Sequence, residues 1–374
     1  MNAVGLIFTD GFDVDIDDMI ERRTLASIPF GGRYRLIDFP LSNLTNAGVK
    51  NIGVITKKNY QSLMDHVRGG DEWDLNRRFT GLTILPPFST AATSETESYE
   101  NRLEGLVANI SYLRYLHEKY VIITGCDYIW NEDIEAFYHA HVASGARLSV
   151  MYTKKDIEKT TKTESTYIRV GDGDKVTKQE ISNIRPKGAY TSLNTYIMER
   201  EDLMDILFKA FRSGKKSFRR EVIRPMIDKG EANGYEAKSP IIHIDEIPNY
   251  LKGSLSLLDK DVRNAFFSND DRPILTRVMD SSPTKYGDNA KVSNSIIADG
   301  SVIEGEVRNC IIFRNVHIEE GAVVENSVIM TDTHISKGAR INYAVLDKNV
   351  TIEDNRWLSG YITHPFYCKR NSII

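Results

Sequence analysis

Five aspartates crowd one short loop near the start of the chain: Asp10, Asp13, Asp15, Asp17 and Asp18. Carboxylates at that density are raw material for holding a divalent cation. Their i, i+2 spacing lacks the glycine and the terminal glutamate of a calcium loop. The loop therefore reads as a solvated acidic segment. Arg22, Arg23 and Arg35 come next, and three guanidinium groups could grip a bisphosphate through paired hydrogen bonds. Far along the chain, His317 and His334 offer the imidazole that an acyltransferase would use as its base. That chemistry needs a histidine at a loop or subunit seam with a matching pocket, and an isolated outward histidine does not supply it. Cys126, Cys310 and Cys368 are far apart and without CxxC spacing. That fits reduced thiols better than a disulfide scaffold or a zinc site.

These groups must be carried by something rigid, and 374 residues are enough for two cores. The composition, 41% hydrophobic and 27% charged, is that of a globular protein. A formal net charge of -4 argues against nucleic acid as a main partner. No stretch approaches the length that crosses a membrane, and Met1 to Asp10 lacks the basic leader of a signal peptide. A cytoplasmic location is expected.

Up to about Tyr250, short apolar runs alternate with helical patterns. Ala3–Phe8, Asn51–Thr56, Leu82–Leu85, Val121–Thr124 and Leu148–Tyr152 read as strands, with helix-like Pro40–Ala47, Tyr99–His117 and Asn131–Ala143 between them. This alternation predicts an α/β domain over residues 1–253, built on a doubly wound sheet with ligands at the carboxyl ends of its strands. A different rule takes over near Ala290. Ile312, Ile318 and Val324 are spaced by six, as are Val323, Ile329, Ile335 and Ile341, and the pairs Ile296/Val302 and Leu346/Ile352. Asp299-Gly300, Glu320-Gly321 and Lys337-Gly338 fall at corners. A six-residue recurrence predicts a triangular, left-handed parallel β-helix over 286–374, each rung placing one apolar side chain inside. Residues 254–285, with Asn269-Asp270-Asp271 and two prolines, read as a connector.

The segment Ile28–Asn43 contains Pro29-Phe30-Gly31-Gly32 followed by Tyr34-Arg35-Leu36-Ile37-Asp38-Phe39-Pro40-Leu41-Ser42-Asn43. It closely resembles the PFGGKYRLIDFPLSN block of glucose-1-phosphate adenylyltransferases, and Asn46-Ala47-Gly48 continues the match. The resemblance covers nearly the whole chain and implies a nucleotidyltransferase-like mixed sheet ahead of the hexapeptide domain. In that family ATP and glucose 1-phosphate are joined to give ADP-glucose and pyrophosphate. Such chemistry needs positioned phosphates, cationic counter-charge and a divalent metal held by carboxylates.

Against that family pattern four elements differ. The glycine-rich GGxGxRL loop is replaced by the acidic loop, where only Gly11 remains and close backbone approach to a triphosphate is lost. The lysine of AKPAVPFGG becomes Leu25 and its proline Ala26. The small-residue GTADAV helix start becomes Asn101-Arg102-Leu103-Glu104-Gly105-Leu106. In the sugar-phosphate region SMGIY becomes Ser192-Leu193-Asn194-Thr195-Tyr196, DFGKD becomes Ser217-Phe218-Arg219-Arg220-Glu221, and WxDVGT becomes His243-Ile244-Asp245-Glu246-Ile247-Pro248. Asp127 matches the catalytic aspartate of the GDH motif, here Cys126-Asp127-Tyr128. Asp127, Glu221 and Asp245 are the vestigial candidates for a metal site, and Asp127 for catalysis.

These departures resemble the second, D-type subunit found beside the catalytic C-type subunit. The resemblance implies a hetero-oligomer, a tetramer, in which this chain raises activity or tunes the response to an effector. It also places Arg22, Arg23 and Arg35 where the family binds anionic sugar-phosphate regulators. No cofactor is expected to be required by this chain, whereas Mg2+ is expected for the catalytic partner. Two other readings stay open: an active sugar-nucleotide pyrophosphorylase with a remodelled loop, and a hexapeptide acyltransferase.

Overall fold

The computed structural model describes residues 1–11, 14–78, 80–87, 101–157 and 162–374. Asp13 of the acidic loop and the first residues of the expected helix Tyr99–His117 lie outside them.

The strand Ala3–Phe8 is buried along its whole length, as a strand covered on both faces must be. It lies in a nine-stranded sheet, flanked in parallel by Asn51–Ile55 and Tyr120–Thr124. Gly81–Leu85 extends the parallel part. On the other side Tyr190–Glu199 runs antiparallel to Tyr120–Thr124, and antiparallel pairs with Ser165–Val170 and Leu148–Thr153 follow. The sheet is therefore mixed. Side chains alternate between two cores: Ala3 and Ile7 enter one, Val4, Leu6 and Phe8 the other. The helix Asp38–Asn46 covers the first face through Phe39, Leu41 and Leu44, while Arg102–Ala108 and Arg200–Arg212 cover the second.

The helical run expected to end at His117 is two helices, Arg102–Ala108 and Ile110–Arg114. Asn109 breaks it, its side-chain amide donating to the Gly105 carbonyl at 2.8 Å. Asparagine competes for backbone groups in this way wherever a helix is marginal.

From Lys285 onward three parallel five-stranded sheets wind around one another, their strands only two or three residues long. Ile312, Ile318, Val324, Ile329, Ile335, Ile341, Leu346 and Ile352 all point into one shared core. The sixfold phase slips in two places. In the second coil Ile303, not Val302, is fully buried, and Val324 takes the inward place beside a half-buried Val323. A corner one residue shorter shifts which neighbour faces inward. Gly300, Gly321 and Gly338 turn corners with φ of 77°, 76° and 68°. Asparagines turn others: Asn294, Asn309 and Asn326 hold φ of 42°, 53° and 49° and bond to one another from coil to coil.

The segment 254–285 is more ordered than a connector. It begins inside the helix Ile247–Ser256 and contains a second, Lys260–Phe267. Asp259 caps that helix by accepting from the Asp261 and Val262 amides, and Phe266 and Phe267 anchor it. Beyond it, Ser42 Oγ accepts from the Leu275 amide at 2.9 Å, so the chain stays tied to the first domain. The C-terminal end of the β-helix is closed by its own tail, where Thr351 and Glu353 donate to the Ser372 and Ile374 carbonyls. The strand edge that a β-helix would otherwise leave open at that end is thus paired.

The two halves share a core. Ile311, Phe313, Val328, Met330 and Val345, on one face of the β-helix, join the cluster containing Phe39, Tyr250 and Phe266. The family-like block sits at this junction. Gly31 and Gly32, with φ of 60° and 85°, close a hairpin between Pro29–Phe30 and Tyr34–Arg35. Tyr34 stacks on Phe267 with centroids 4.7 Å apart. A side chain at Gly32 would meet Ile296 of the β-helix at 3.4 Å.

Candidate functional site

The carboxyl ends of Ala3–Phe8 and Tyr120–Thr124 form a cleft, as the topology requires. A cavity of about 180 Å³ opens there, lined by Phe8, Asp10, Lys57, Asn101, Arg102 and Phe218 among others. Asn101 caps the helix Arg102–Ala108: its side chain accepts from the Glu104 amide at 3.0 Å and donates to the Glu104 carboxylate at 2.8 Å. This side-chain N-cap fixes Arg102 at the helix start facing the cleft. Arg102 lies over the Phe8 ring at 4.8 Å, donates to the Asp10 carbonyl at 2.7 Å, and stands 3.5 Å from Asp127 Oδ1. Both partners of that ion pair are almost wholly buried. Burial lowers the Arg102 guanidinium from its ordinary value, with Asp127 opposing the shift. It also raises the Asp10 carboxyl, against Lys57 and Arg102. Gly125 makes the pair possible, because a Cβ there would lie 2.4 Å from Asp127 Oδ1 and 2.7 Å from Arg102 Nη2.

Leu25, aligned with the family's lysine, is buried in the apolar core beside Ala26 and Ile28. The acidic loop is partly tied down. Asp17 and Asp18 begin the short helix Asp17–Ile20, Asp15 pairs with Lys162 at 3.3 Å and Asp18 with Lys369 at 2.7 Å.

The structure does not bring the three candidate metal acids together. Asp245 is fully buried and accepts from Thr163 Oγ1 at 2.7 Å and Asn249 Nδ2 at 2.6 Å. Glu221 is exposed to solvent on one side and accepts from the Ser217 and Lys216 amides, both at 2.7 Å. Those amides hold its carboxyl below the usual range. Among the described residues, only His317, Glu319 and His334 form a group of three ligand side chains within 4.8 Å. Near the sugar-phosphate region a second cavity, of about 310 Å³, is lined by Tyr128, Tyr167, Arg185 and His243. Tyr128 stacks on His243 at 4.1 Å, and Arg185 is held by Asp156 and the Ala189 carbonyl.

The missing glycine of the SMGIY pattern has a different outcome from the one its loss suggests. Asn194 stands at an irregularity in the strand Tyr190–Glu199 with φ of 52°. The left-handed conformation is present, with asparagine, the residue that tolerates it best after glycine, supplying it.

A second charged region lies where the first domain meets the β-helix. Arg23 pairs with buried Asp347, which also accepts from the Tyr367 hydroxyl at 2.8 Å. Its Nε donates to the Met19 carbonyl at 2.7 Å. Arg35 donates to the Ser62 carbonyl and hydroxyl, and burial pushes its guanidinium down to about 10. Lys348 sits between them. Burial, with Arg35 and Arg23 adding like charge and Asp347 opposing, pushes it down to about 7. One cavity of about 220 Å³ holds Arg22, Arg23, Lys348, Lys369 and Arg370 opposite Asp18, Glu21 and Asp347. Its neighbour, also about 220 Å³, is lined by Arg33, Arg35, Arg277, Arg314 and Lys348, with no carboxylate side chain on its wall. The three predicted arginines thus fall in adjacent cavities rather than in one. Lys348, Arg314 and Arg370 escaped sequence reasoning because they come from the β-helix, more than 270 positions along the chain from Arg35.

Known proteins match this architecture. Residues 22–236 match the Nucleotidyl transferase family and residues 281–359 the GlmU-like, C-terminal hexapeptide family. The chain is 32% identical to the glycogen biosynthesis protein GlgD of Bacillus subtilis (strain 168), over 99% of this chain and 96% of the relative. It is 31% identical to that of Geobacillus stearothermophilus, over 86% and 82%. The glucose-1-phosphate adenylyltransferase of Fervidobacterium nodosum is 29% identical over 94% of this chain and 84% of its own length. No helix among the described residues is long and apolar enough to cross a membrane. A mixed α/β body with a hexapeptide domain, matched over nearly its full length by relatives of one name, belongs to the family of GlgD glycogen biosynthesis proteins.

Proposed function

We propose that this chain is the regulatory or activity-enhancing subunit of an ADP-glucose pyrophosphorylase, working in a cytoplasmic hetero-oligomer with a catalytic subunit that uses Mg2+. Its own cleft no longer joins ATP to glucose 1-phosphate. The observation that carries this reading is the buried ion pair between Arg102 and Asp127. Phosphoryl transfer needs a carboxylate available to a divalent cation beside the triphosphate. Here a protein cation stands beside that carboxylate, and the other two candidate acids are taken up by Thr163, Asn249 and backbone amides. Trp357 and Tyr361, 77% and 74% exposed on the last coil of the β-helix, support a subunit contact there, since exposed aromatics are typical anchors of interfaces. The cationic cavities at the domain junction support the binding of an anionic sugar-phosphate effector by Arg22, Arg23 and Arg35, with Lys348 added.

Pyrophosphate release from ATP and glucose 1-phosphate tests this directly, using the chain alone and mixed with the catalytic subunit of the same organism. The expected result is silence alone and a raised turnover, or a shifted effector response, in the mixture. A kcat of about 1 per second or more from the chain alone would sink the proposal and return Asp127 to a working catalytic role. In the mixture, Arg35→Ala is expected to weaken the response to a hexose bisphosphate by roughly tenfold, the loss of one charge-assisted contact. An unchanged response would remove Arg35 from the effector site.

A further inference from the structure

Four side chains on one outer face of the β-helix serve neither of the regions above. In the coil strands Val302–Ile303, His317–Ile318 and His334–Ile335, the isoleucines point into the core. Alternation then turns Glu304, His317, Glu319 and His334 outward. His317 is paired in register with His334, and the coil below places Val302 against His317 and Ile303 against Ile318. Stacked coils therefore bring two imidazoles and two carboxylates from separate turns of the chain onto one small patch.

Their contacts are incomplete for ordinary ion pairs. His334 Nε2 lies 2.9 Å from Glu319 Oε1, whose other oxygen accepts from the Lys337 amide at 3.1 Å. His317 Nε2 stands 3.5 Å from Glu304 Oε2 and is shielded from water without a hydrogen-bond partner. The two rings meet edge to face with centroids 4.9 Å apart. One ligand atom from each of His317, Glu319 and His334 lies within 4.8 Å of the others. A shielded nitrogen with no donor or acceptor is costly, and a cation placed between the rings would satisfy it.

We propose that His317, His334 and Glu319 form a transition-metal site, with Glu304 as the fourth ligand or as the acceptor that orients His317. Two imidazoles with one or two carboxylates are the donor set of zinc, with nickel, cobalt and copper as chemical competitors. Magnesium and calcium, which take oxygen ligands, do not fit it. A tetrahedral ion at about 2.0–2.1 Å from nitrogen needs its ligands roughly 3.3 Å apart. The side chains reach that by rotation on a backbone the coil ladder holds still. All four are partly exposed, so an ion has an entry path and bound water can complete its shell. The ion would staple successive coils of the β-helix outside the core.

Calorimetric titration of the tag-free, EDTA-treated chain with zinc chloride tests this, alongside the visible absorption of added cobalt. One high-affinity ion per chain is expected, with micromolar or tighter binding, a tetrahedral cobalt spectrum and a raised unfolding temperature. Glu319→Gln and His334→Asn are each expected to weaken zinc roughly tenfold or more, as loss of a ligand or its orienting partner does, while His139→Gln leaves it unchanged. Absence of binding below millimolar zinc would overturn the proposal. So would equal affinity in the His317→Gln/His334→Gln double variant. Should that variant fail to fold, Glu319→Gln at a partly exposed side chain decides, and retained affinity there counts against the site. None of these outcomes depends on the subunit assignment.

Discussion

The cleft of the first domain and the junction between the domains are both rich in charge, yet they use it in opposite ways. In the cleft, the cation Arg102 is turned onto the protein's own carboxylate, and the position of the family's lysine is filled by buried Leu25. At the junction, one cavity carries five cationic side chains and no carboxylate on its wall, and burial has already pushed Lys348 down to about 7. The cleft keeps Lys57, Lys216 and Arg219 on its wall, so what sets it apart is that its buried arginine is matched by an internal carboxylate, whereas Lys348 at the junction is buried chiefly among like charges.

The sharpest way to break this comparison is to disarm the cleft. Arg102→Ala leaves the Asp127 carboxylate buried and unpaired, and urea unfolding of the isolated chain is expected to show a loss of about 3–5 kcal/mol. Adding Asp127→Asn should restore much of it. A single-variant loss below about 1 kcal/mol, the scale of a surface pair, would show that the pair does not organise the cleft.

A smaller effect is expected at the seam, and its sign follows from proton linkage. The folded chain holds Lys348 at about 7 against an ordinary value of 10.5. Between those values the unfolded chain carries a proton that the folded chain lacks, so this residue makes stability rise with pH across the window. Lys348→Met removes the burden of a buried charge. Its advantage over the unaltered chain should be greatest near pH 6.5 and shrink as the pH approaches 9.5, read as the difference in unfolding midpoints. A hexose bisphosphate should narrow the gap at low pH by supplying counter-charge. A difference that is flat with pH would mean that Lys348 is an ordinary solvated lysine.

The smallest effect tests whether the sugar-phosphate strand kept its shape when it changed its residue. Asn194→Gly should alter stability by no more than about 0.5 kcal/mol, because both residues accept the left-handed conformation. Asn194→Val should cost about 1–2 kcal/mol or more. Equal costs would show that the asparagine side chain, and not its backbone angle, is what the strand needs.

Much of the fold could be read along the chain because its signals are local. Alternation of strand and helix patterns gave the α/β sheet, the family resemblance its mixed character, and sixfold recurrence from Ile312 onward the coils. Local signals also misled where two readings share a pattern. Asn101 to Glu104 stand out in the sequence only as replacements for small residues, while in the fold they also form the N-cap that positions Arg102. The polar stretch around Asn269 suggested a free connector, while Phe266 and Phe267 just before it bind the segment to the hairpin of the family-like block. His317 and His334 raised the question of acyl transfer singly. Only coil stacking sets them beside Glu304 and Glu319.

By itself the sequence determined the order of the two domains, the inward rungs of most coils, the aspartate at the end of its strand and the loss of the lysine at Leu25. These follow from residue type, period and adjacency, which are properties of neighbours along the chain. The pairing of Arg102 with Asp127, the meeting of Arg23 with Asp347 and the convergence on Lys348 were decided only by the tertiary structure. Their partners are remote in sequence, and a charge acquires its meaning from what is within a few ångströms and how much water is left between.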